Sequence, residues 1–377
     1  PGSRPSEVSA SATTIEASAR RADAVRYWLK RLHLWVGLSV GLVYALIALS
    51  GSVLVLQGPL LRLLHPPLAA HALPDATARA AVLTHIAHEW PSRGLRSADL
   101  PTAGLPVWQL YFSDGSRRYL DPSNGDLLLT RAPGSDLLLT LRDWHTHLLA
   151  GKTGEAMLGV LGWLMLGLLL SGVWLWWPGR RNLRGSLRIH TQPPARRWVS
   201  WHRSIGALSL PLLLLVTLTG TLMVYGKGTR HVLRTLFADA PATPTPARIA
   251  PRPQAIDWAA ALDAAQHALP GAELRRIALP SANDGRVTIR ARAPGEWHPV
   301  GRSQVWLDPY RAQVLAAVDA TAEGTGARIS NAVYPLHAGS VGGLAGKLLV
   351  LLCGLLPPFF LVTGFLFWRT RQRRQRR

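Results

Sequence analysis

A single cysteine, Cys353, stands in the 377 residues. By itself the chain can form no disulfide, no thiolate-held iron–sulfur cluster, no zinc ribbon and no C-x-x-C-H haem attachment. Acidic residues are also few, 21 against 42 lysines and arginines. None lies in the longest apolar runs, so no carboxylate is available there to neutralise a bound cation. A dinucleotide-binding glycine fingerprint is missing. Gly151-Lys152-Thr153 resembles only the tail of a phosphate loop, with Thr146 where the first glycine is required. A cleavable leader is not expected: the first apolar run is long, starts about 30 residues in, and has no small-x-small site.

What the chain does have is uncharged length. Trp35 to Leu56, Ala156 to Trp177, Ile205 to Tyr225 and Leu344 to Trp368 contain one charge between them, Lys347. Each run is about 20 residues, enough for a helix to cross roughly 30 Å of hydrocarbon, so four transmembrane helices are predicted. Residues 1–57, 178–203 and 348–377 hold 19 basic and 3 acidic groups, whereas 58–177 and 204–347 hold 9 against 9 and 14 against 9. Basic residues near membrane ends stay in the cytoplasm, which places both termini inside and two segments outside. The tail Arg369–Arg377 and the loop with Arg180, Arg181, Arg184, Arg188, Arg196 and Arg197 flank helix ends, which favours anionic lipid headgroups of the bilayer over nucleic acid. Residues 1–25, rich in serine and alanine with no apolar period, are expected to be disordered.

Histidines recur at two fixed spacings. His33 and His202 are each followed four residues later by glycine (Gly37, Gly206) and eighteen later by the glycine of Ser50-Gly51-Ser52 or Thr219-Gly220-Thr221. His145 and His337 each stand twenty-six residues before a hydroxyl-Gly pair, Ser171-Gly172 and Thr363-Gly364, with Trp176 and Trp368 four residues beyond the glycines. Two duplicated pairs suggest two twin-histidine sites. Ser50, Ser171, Thr219 and Thr363 read as packing residues that satisfy their own helix carbonyls, and Trp174, Trp176, Trp177 and Trp368 as an interfacial belt. His65, His71, His85, His88, His190, His231, His267 and His298 have no matched partner and read as surface residues.

Each external segment reads as a small α+β unit. In the first, a helix over Asp75 to Trp90 precedes strands Val107 to Phe112 and Arg118 to Leu120 around the turn Ser113-Asp114-Gly115-Ser116, and the unit closes on Tyr119-Leu120-Asp121-Pro122. The second repeats the plan with a helix Ala255 to Leu269, strands Glu273 to Ala278 and Arg286 to Arg292, and Trp306-Leu307-Asp308-Pro309-Tyr310. Its last turn has Arg311-Ala312-Gln313 where the first has Asn124-Gly125-Asp126, a departure that puts the hairpin geometry there in question. The Pro-rich stretch Ala240 to Pro253 is predicted to be extended.

Aromatic-Leu-Asp-Pro turns in external α+β units, between helices bearing Arg-Leu-His-Leu-Trp-Val-Gly and Ser-Gly, resemble the PepSY-associated transmembrane family, over about residues 26 to 370. The resemblance implies an α-helical membrane protein with α+β extracytoplasmic domains, internally duplicated as helix, PepSY-like domain, helix, in the bacterial inner membrane. The expected division is a disordered cytoplasmic N-terminus (1–25), a first transmembrane helix (26–57), a first periplasmic PepSY-like domain (58–143), and an outer histidine segment with the second helix (144–177). It continues with a basic cytoplasmic loop (178–201), a third helix (202–226), a second periplasmic PepSY-like domain (227–336), an outer histidine segment with the fourth helix (337–368) and a basic tail (369–377). The family includes proteins linked to ferrisiderophore reduction, which implies a haem-dependent transmembrane oxidoreductase with two b haems. The haem ligands carried over are His33 with His202 on the inner side and His145 with His337 on the outer side.

That pairing also follows from depth, because two axial imidazoles on one porphyrin must lie at the same level. Gly37, Gly206, Trp35 and Trp201 flank the inner histidines as candidate contacts, small residues there leaving room for a macrocycle. His147 is an alternative outer ligand whose counterpart in the repeat is Gly339, and Asp143 is a candidate to orient the His145 imidazole. The outer histidines are expected either to stand above the membrane surface or to fold back over it through Gly151–Gly154 and Gly339–Gly346. The partners implied are a ferric siderophore outside and a separate cytoplasmic or quinol electron donor, since the chain has no flavin or nicotinamide domain. Two other readings compete: a histidine-lined metal transporter and a non-enzymatic PepSY peptide-binding or regulatory protein.

Overall fold

The computed structural model describes residues 6–91, 94–179 and 182–376. Arg180 and Arg181 of the basic loop, Arg377 of the tail and the first five residues of the segment expected to be disordered lie outside them. Among the described residues, four helices are long and apolar enough to cross a membrane. They belong to α1 (Ser6–Val55), α5 (Gly151–Trp176), α7 (Pro194–Val224) and α11 (Gly343–Gln375). Residues 6–25, expected to be disordered, begin α1. An Ala-rich stretch has high intrinsic helix propensity, and a helix already nucleated by an apolar span extends into it one residue at a time.

The chain divides into two compact bodies. The first comprises residues up to Leu49, Ala156–Thr221 and Leu352 onward, the larger part of the four apolar helices. Only 17–22% of the residues in each apolar window are buried, which leaves the rest to face lipid. The close approach in this body is between α5 and α7, where a Cβ on Gly162 would lie within van der Waals radii of the Thr221 hydroxyl. Beside it Tyr44 Oη and Thr217 Oγ1 share a hydrogen bond of 2.6 Å. Small residues and hydroxyl pairs are the usual means of joining helices where no hydrophobic effect drives them together.

The second body, Ser50–Glu155 and Leu222–Leu351, carries the duplicated units. In the first half α2 (Gln57–Leu64) and α3 (Ala76–Glu89) precede β1 (Leu95–Asp99), β2 (Trp108–Phe112), β3 (Arg117–Leu120), β4 (Leu127–Arg131) and α4 (Leu137–His147). After the short α6 (Leu183–Ser186), which belongs to the other body, the second half repeats this order. It runs α8 (Gly226–Leu236), α9 (Trp258–Ala268), β5 (Glu273–Ala278), β6 (Val287–Arg292), β7 (Ser303–Asp308), β8 (Gln313–Val318) and α10 (Thr325–His337). Asp75 and Asp257 cap α3 and α9 in the same way, accepting from Ala78 N at 2.8 Å and Ala260 N at 3.0 Å.

The two expected α+β units are joined: their strands form one eight-stranded antiparallel sheet, ordered β4-β3-β2-β1-β5-β6-β7-β8. Ala98 pairs with Ile277, its own counterpart, since Ala98 faces Leu110 as Ile277 faces Ile289. A local twofold therefore passes between β1 and β5, an isologous contact within one chain. Each four-stranded half alone would expose the edge of its first strand, and pairing the two covers both. Val82, Leu83 and Ile86 of α3 and Trp258 and Ala265 of α9 pack on the face that carries Ala98, Leu110, Ile277, Ile289, Val305 and Leu307. The opposite face is polar, with Asp99, Tyr111, Arg117, Arg276 and Arg290. At the turns, Asp121 accepts from Ser123 N at 2.8 Å and Asp308 from Tyr310 N at 3.0 Å. The second hairpin closes despite its lack of glycine, because Ala312 adopts φ 49° where Gly125 has φ 81°.

Candidate functional site

His33 lies on α1 and His202 on α7, and their ring centres stand 6.3 Å apart with planes at 78°. Each ring is held through Nδ1 by the hydroxyl of a neighbouring helix: Ser171 Oγ of α5 at 2.8 Å from His33, and Thr363 Oγ1 of α11 at 3.0 Å from His202. Those hydroxyls also donate to their own helices, Ser171 to Leu168 O at 2.7 Å and Thr363 to Phe359 O at 2.9 Å. A hydroxyl has one proton. With it committed to a carbonyl, the oxygen accepts from the imidazole, so Nδ1 carries the hydrogen and Nε2 presents a bare lone pair. The glycine after each hydroxyl clears the ring edge: a Cβ on Gly172 would lie 3.3 Å from His33 Cε1, and one on Gly364 would lie 3.6 Å from His202 Cε1.

In the other body His145 and His337 sit in the last turns of α4 and α10. Their ring centres are 6.1 Å apart with planes at 42°. Here too a hydroxyl-Gly step receives the ring. Ser50 Oγ is 3.2 Å from His145 Nδ1, and a Cβ on Gly51 would come within 2.8 Å of His145 Cε1. Both helices stop just past their histidines. The chain reverses through left-handed residues at Leu148, Leu149 and Gly151 on one side and Gly339 and Gly343 on the other. Gly339 is required twice over, by φ 67° and because a Cβ there would strike Gly346 O.

Different anchors set the two helices. Asp136 caps α4, accepting from Leu139 N at 2.8 Å and from Arg131 Nε at 2.8 Å. The Arg131 guanidinium holds this carboxyl below its ordinary range, and Arg131 also donates to Tyr119 Oη at 3.0 Å, tying the helix start to β3. Helix α10 begins at Gly324, which has no side chain to cap with. Asp239, from just after α8, serves instead, accepting from Gly326 N at 3.0 Å and Ala327 N at 2.8 Å.

The remaining sequence candidates fall elsewhere. His147 bonds Asp143 at 3.1 Å and Thr146 Oγ1 at 2.8 Å through Nδ1, so the Asp143 carboxylate is engaged by His147. Aspartate and the histidine four residues on share a helix face. Trp35 meets Trp368 edge-on at 6.4 Å and is 55% exposed, and Trp201 packs at a tilt on Phe359 at 6.4 Å. The ring beside His202 is Phe360, at 5.1 Å. Gly37 and Gly206 are helix-packing positions, where an added Cβ would meet Leu168 and Phe360 at 3.9 and 3.7 Å. Ser50, Ser171 and Thr363, expected to pack or bond only their own helices, hold the imidazoles. His298, expected at the surface, is buried and stacks on Tyr334 at 5.0 Å. The duplicated spacings contained the hydroxyl-Gly signal. They did not say which histidine each step receives, because distance along a chain does not say which helices are neighbours.

Two imidazoles can share one metal centre as axial ligands, and the Nδ1 atoms of His33, His202 and His145 are already bonded to hydroxyls. Iron–nitrogen bonds of about 2 Å put two such ring centres about 6 Å apart, and the separations here are 6.3 and 6.1 Å. A bare ion would need three or four protein donors, and among the described residues no three His, Cys, Asp or Glu side chains converge to hold one. The donor sets therefore fit a group that brings its remaining ligands with it, as a porphyrin does.

A comparison with curated proteins finds no similar sequence. The family described as the PepSY-associated TM region matches residues 30–371, which span all four apolar helices, both histidine pairs and the entire sheet, and the chain belongs to that family.

Proposed function

We propose that the protein is an inner-membrane electron-transfer protein with two b haems, carrying electrons from a cytoplasmic-side donor to a ferric siderophore in the periplasm. The observation that carries this reading is the repeated geometry of His33 with His202 and His145 with His337: ring centres at the spacing of a shared iron. Haem b supplies one-electron chemistry, its iron alternating between ferric and ferrous. Ferrous iron is held by hard oxygen chelators much more weakly than ferric, so reduction releases it.

The protein's own residues position and tune. Ser171 and Thr363 fix the tautomer and ring orientation of His33 and His202, and by accepting from Nδ1 they raise the basicity of Nε2. Gly51, Gly172 and Gly364 keep the ring edges clear. No acid–base residue is required for the transfer of an electron. The donor is a separate protein or a quinol. A metal transporter would call for convergent anionic or multiple donors along the helices, and a purely regulatory protein would leave both paired histidines without a task.

Haem content and absorbance of the purified protein and four single variants test the proposal. His33→Ala and His202→Ala are each expected to lose one haem of two, and His145→Ala and His337→Ala the other. A colourless wild-type protein, or variants that all retain two haems, overturns it.

A further inference from the structure

The polar face of the sheet differs between the two halves in a way the shared fold does not require. The strand registers place Tyr111 and Gly115 of the first half where the second has Arg290 and Arg302. Both halves build the same four strands, so neither arginine is needed for the architecture. Arg290 is opposite Gln304 in the β6–β7 ladder, and Arg302 lies two residues before Gln304, on the same face. Such diagonal neighbours are about 7 Å apart, within reach of long side chains. Arg276 is opposite Arg290 on the other flank, and Arg230 of α8 approaches from the side, bonded to Asn331 of α10.

The carboxylates nearby are engaged. Asp99 accepts from Arg276 Nη2 at 2.8 Å and from Tyr111 Oη at 2.7 Å. Glu323 pairs with Arg234 at 3.0 Å and lies 4.0 Å from Arg230. Glu296 accepts from the backbone of Ala293 and Arg302, both at 2.7 Å, and from Ser303. Among the described residues, Arg290 and Arg302 make no ion pair within 4 Å, and Arg302 Nε is buried without a hydrogen-bond partner. Burial and the neighbouring guanidiniums push Arg302 down to about 10 and lower Arg290 as well. Burial and the same arginines take His298 to about 3, so it stays neutral beside them. Like charges held together in half-buried positions are a standing cost that an arriving anion relieves.

We propose that Arg290 and Arg302, assisted by Arg230 and Arg276, form a binding site for a ligand bearing two or more carboxylates. Guanidinium forks are suited to paired carboxylate oxygens. The site adjoins the second histidine pair, since Tyr334, stacked on His298, precedes His337 by one turn of α10. Its use rests on the proposed function: there it would select anionic, carboxylate-rich ferric chelates as the acceptor. The same carboxylate chemistry is also offered by the propionates of a porphyrin at His145 and His337.

Gallium(III) citrate, which accepts no electron, is the probe, titrated calorimetrically into the full chain in lipid nanodiscs. Wild-type protein is expected to bind it, and Arg290→Gln and Arg302→Gln each to weaken binding by about tenfold or more, as for loss of a charge-assisted pair. Removing a repelling guanidinium is expected to leave thermal stability unchanged or raised, and Arg290→Lys to recover only part of the affinity. A cationic gallium tris-hydroxamate is expected not to depend on either arginine. His337→Ala separates the two sources. Unchanged affinity in that variant assigns the site to a soluble chelate, and binding that appears only there assigns it to propionates. Absence of citrate binding in both wild type and His337→Ala, or binding indifferent to both arginines, overturns the inference. Arginine-dependent binding by a protein that carries no haem would uphold this site while refuting the redox function.

Discussion

Replacing Gly51 by alanine tests the cradle around His145. A Cβ there would stand 2.8 Å from Cε1, 3.4 Å from Nδ1 and 3.6 Å from Nε2 of that ring. Carbon atoms in contact prefer roughly 3.5–4.0 Å, so the imidazole must retreat by about 0.7 Å or more. Metal ligation tolerates displacements of only about 0.2 Å. Overpacking of this kind costs about 1–3 kcal/mol, which corresponds to roughly 5- to 150-fold weaker retention of the second haem. The same substitution at Gly172 meets His33 at 3.3 Å and at Gly364 meets His202 at 3.6 Å, giving a graded series. At Gly364 the gain from restricting the unfolded chain, about 0.4–1 kcal/mol, is expected to prevail and raise the melting temperature. Haem loss to excess apomyoglobin, followed by absorbance, measures the series: Gly51→Ala fastest from the second pair, Gly172→Ala intermediate and Gly364→Ala near wild type from the first. If Gly51→Ala holds its haem as firmly as Gly364→Ala, the hydroxyl-Gly step is not what positions the ring.

Ser171→Ala and Thr363→Val remove the acceptors of His33 and His202 Nδ1, which makes Nε2 less basic and favours ferrous iron. Spectroelectrochemical titration is expected to show the potential of that haem raised by some tens of millivolts, on the scale of about 59 mV per tenfold change for one electron, and an unchanged potential counts against the assigned tautomers. In acid, Asp136 supplies a separate check. Its folded pKa is depressed below 3.8, chiefly by the Arg131 hydrogen bond, so its stabilising contribution is complete above that value and is lost as pH falls through the folded one. Thermal melts between about pH 5 and 2 are expected to fall less steeply for Asp136→Asn than for wild type, with the variant already less stable at neutral pH; parallel acid limbs would show that this carboxyl does not anchor α4.

Much of the architecture was legible in one dimension. Long uncharged runs mark α1, α5, α7 and α11 because lipid imposes length and excludes charge. The first predicted helix of the sheet domain opens on Asp75, which caps α3, the second contains α9 but starts earlier than its cap Asp257, and the strand Glu273–Ala278 stands where local patterning puts it. Strands β1, β4 and β8 escaped, each half-exposed and without a strong alternation. The short helices α4 and α10 escaped as well, since their histidines read as the approach to a span rather than as the last turn of a separate helix.

Sequence alone determined the number of spans, the duplication and the identity of the paired histidines, because each of these is a periodicity or a local preference written along the chain. The tertiary structure decided what touches what. Ser171-Gly172 receives His33, and Ser50-Gly51 receives His145. The two half-sheets join through Ala98 and Ile277. Arg290 and Arg302 meet as like charges on the polar face of the second half. The histidine and strand-edge contacts are made between segments 95 or more residues apart, where no local preference acts, and they are settled only when helices and strand edges are packed together in space.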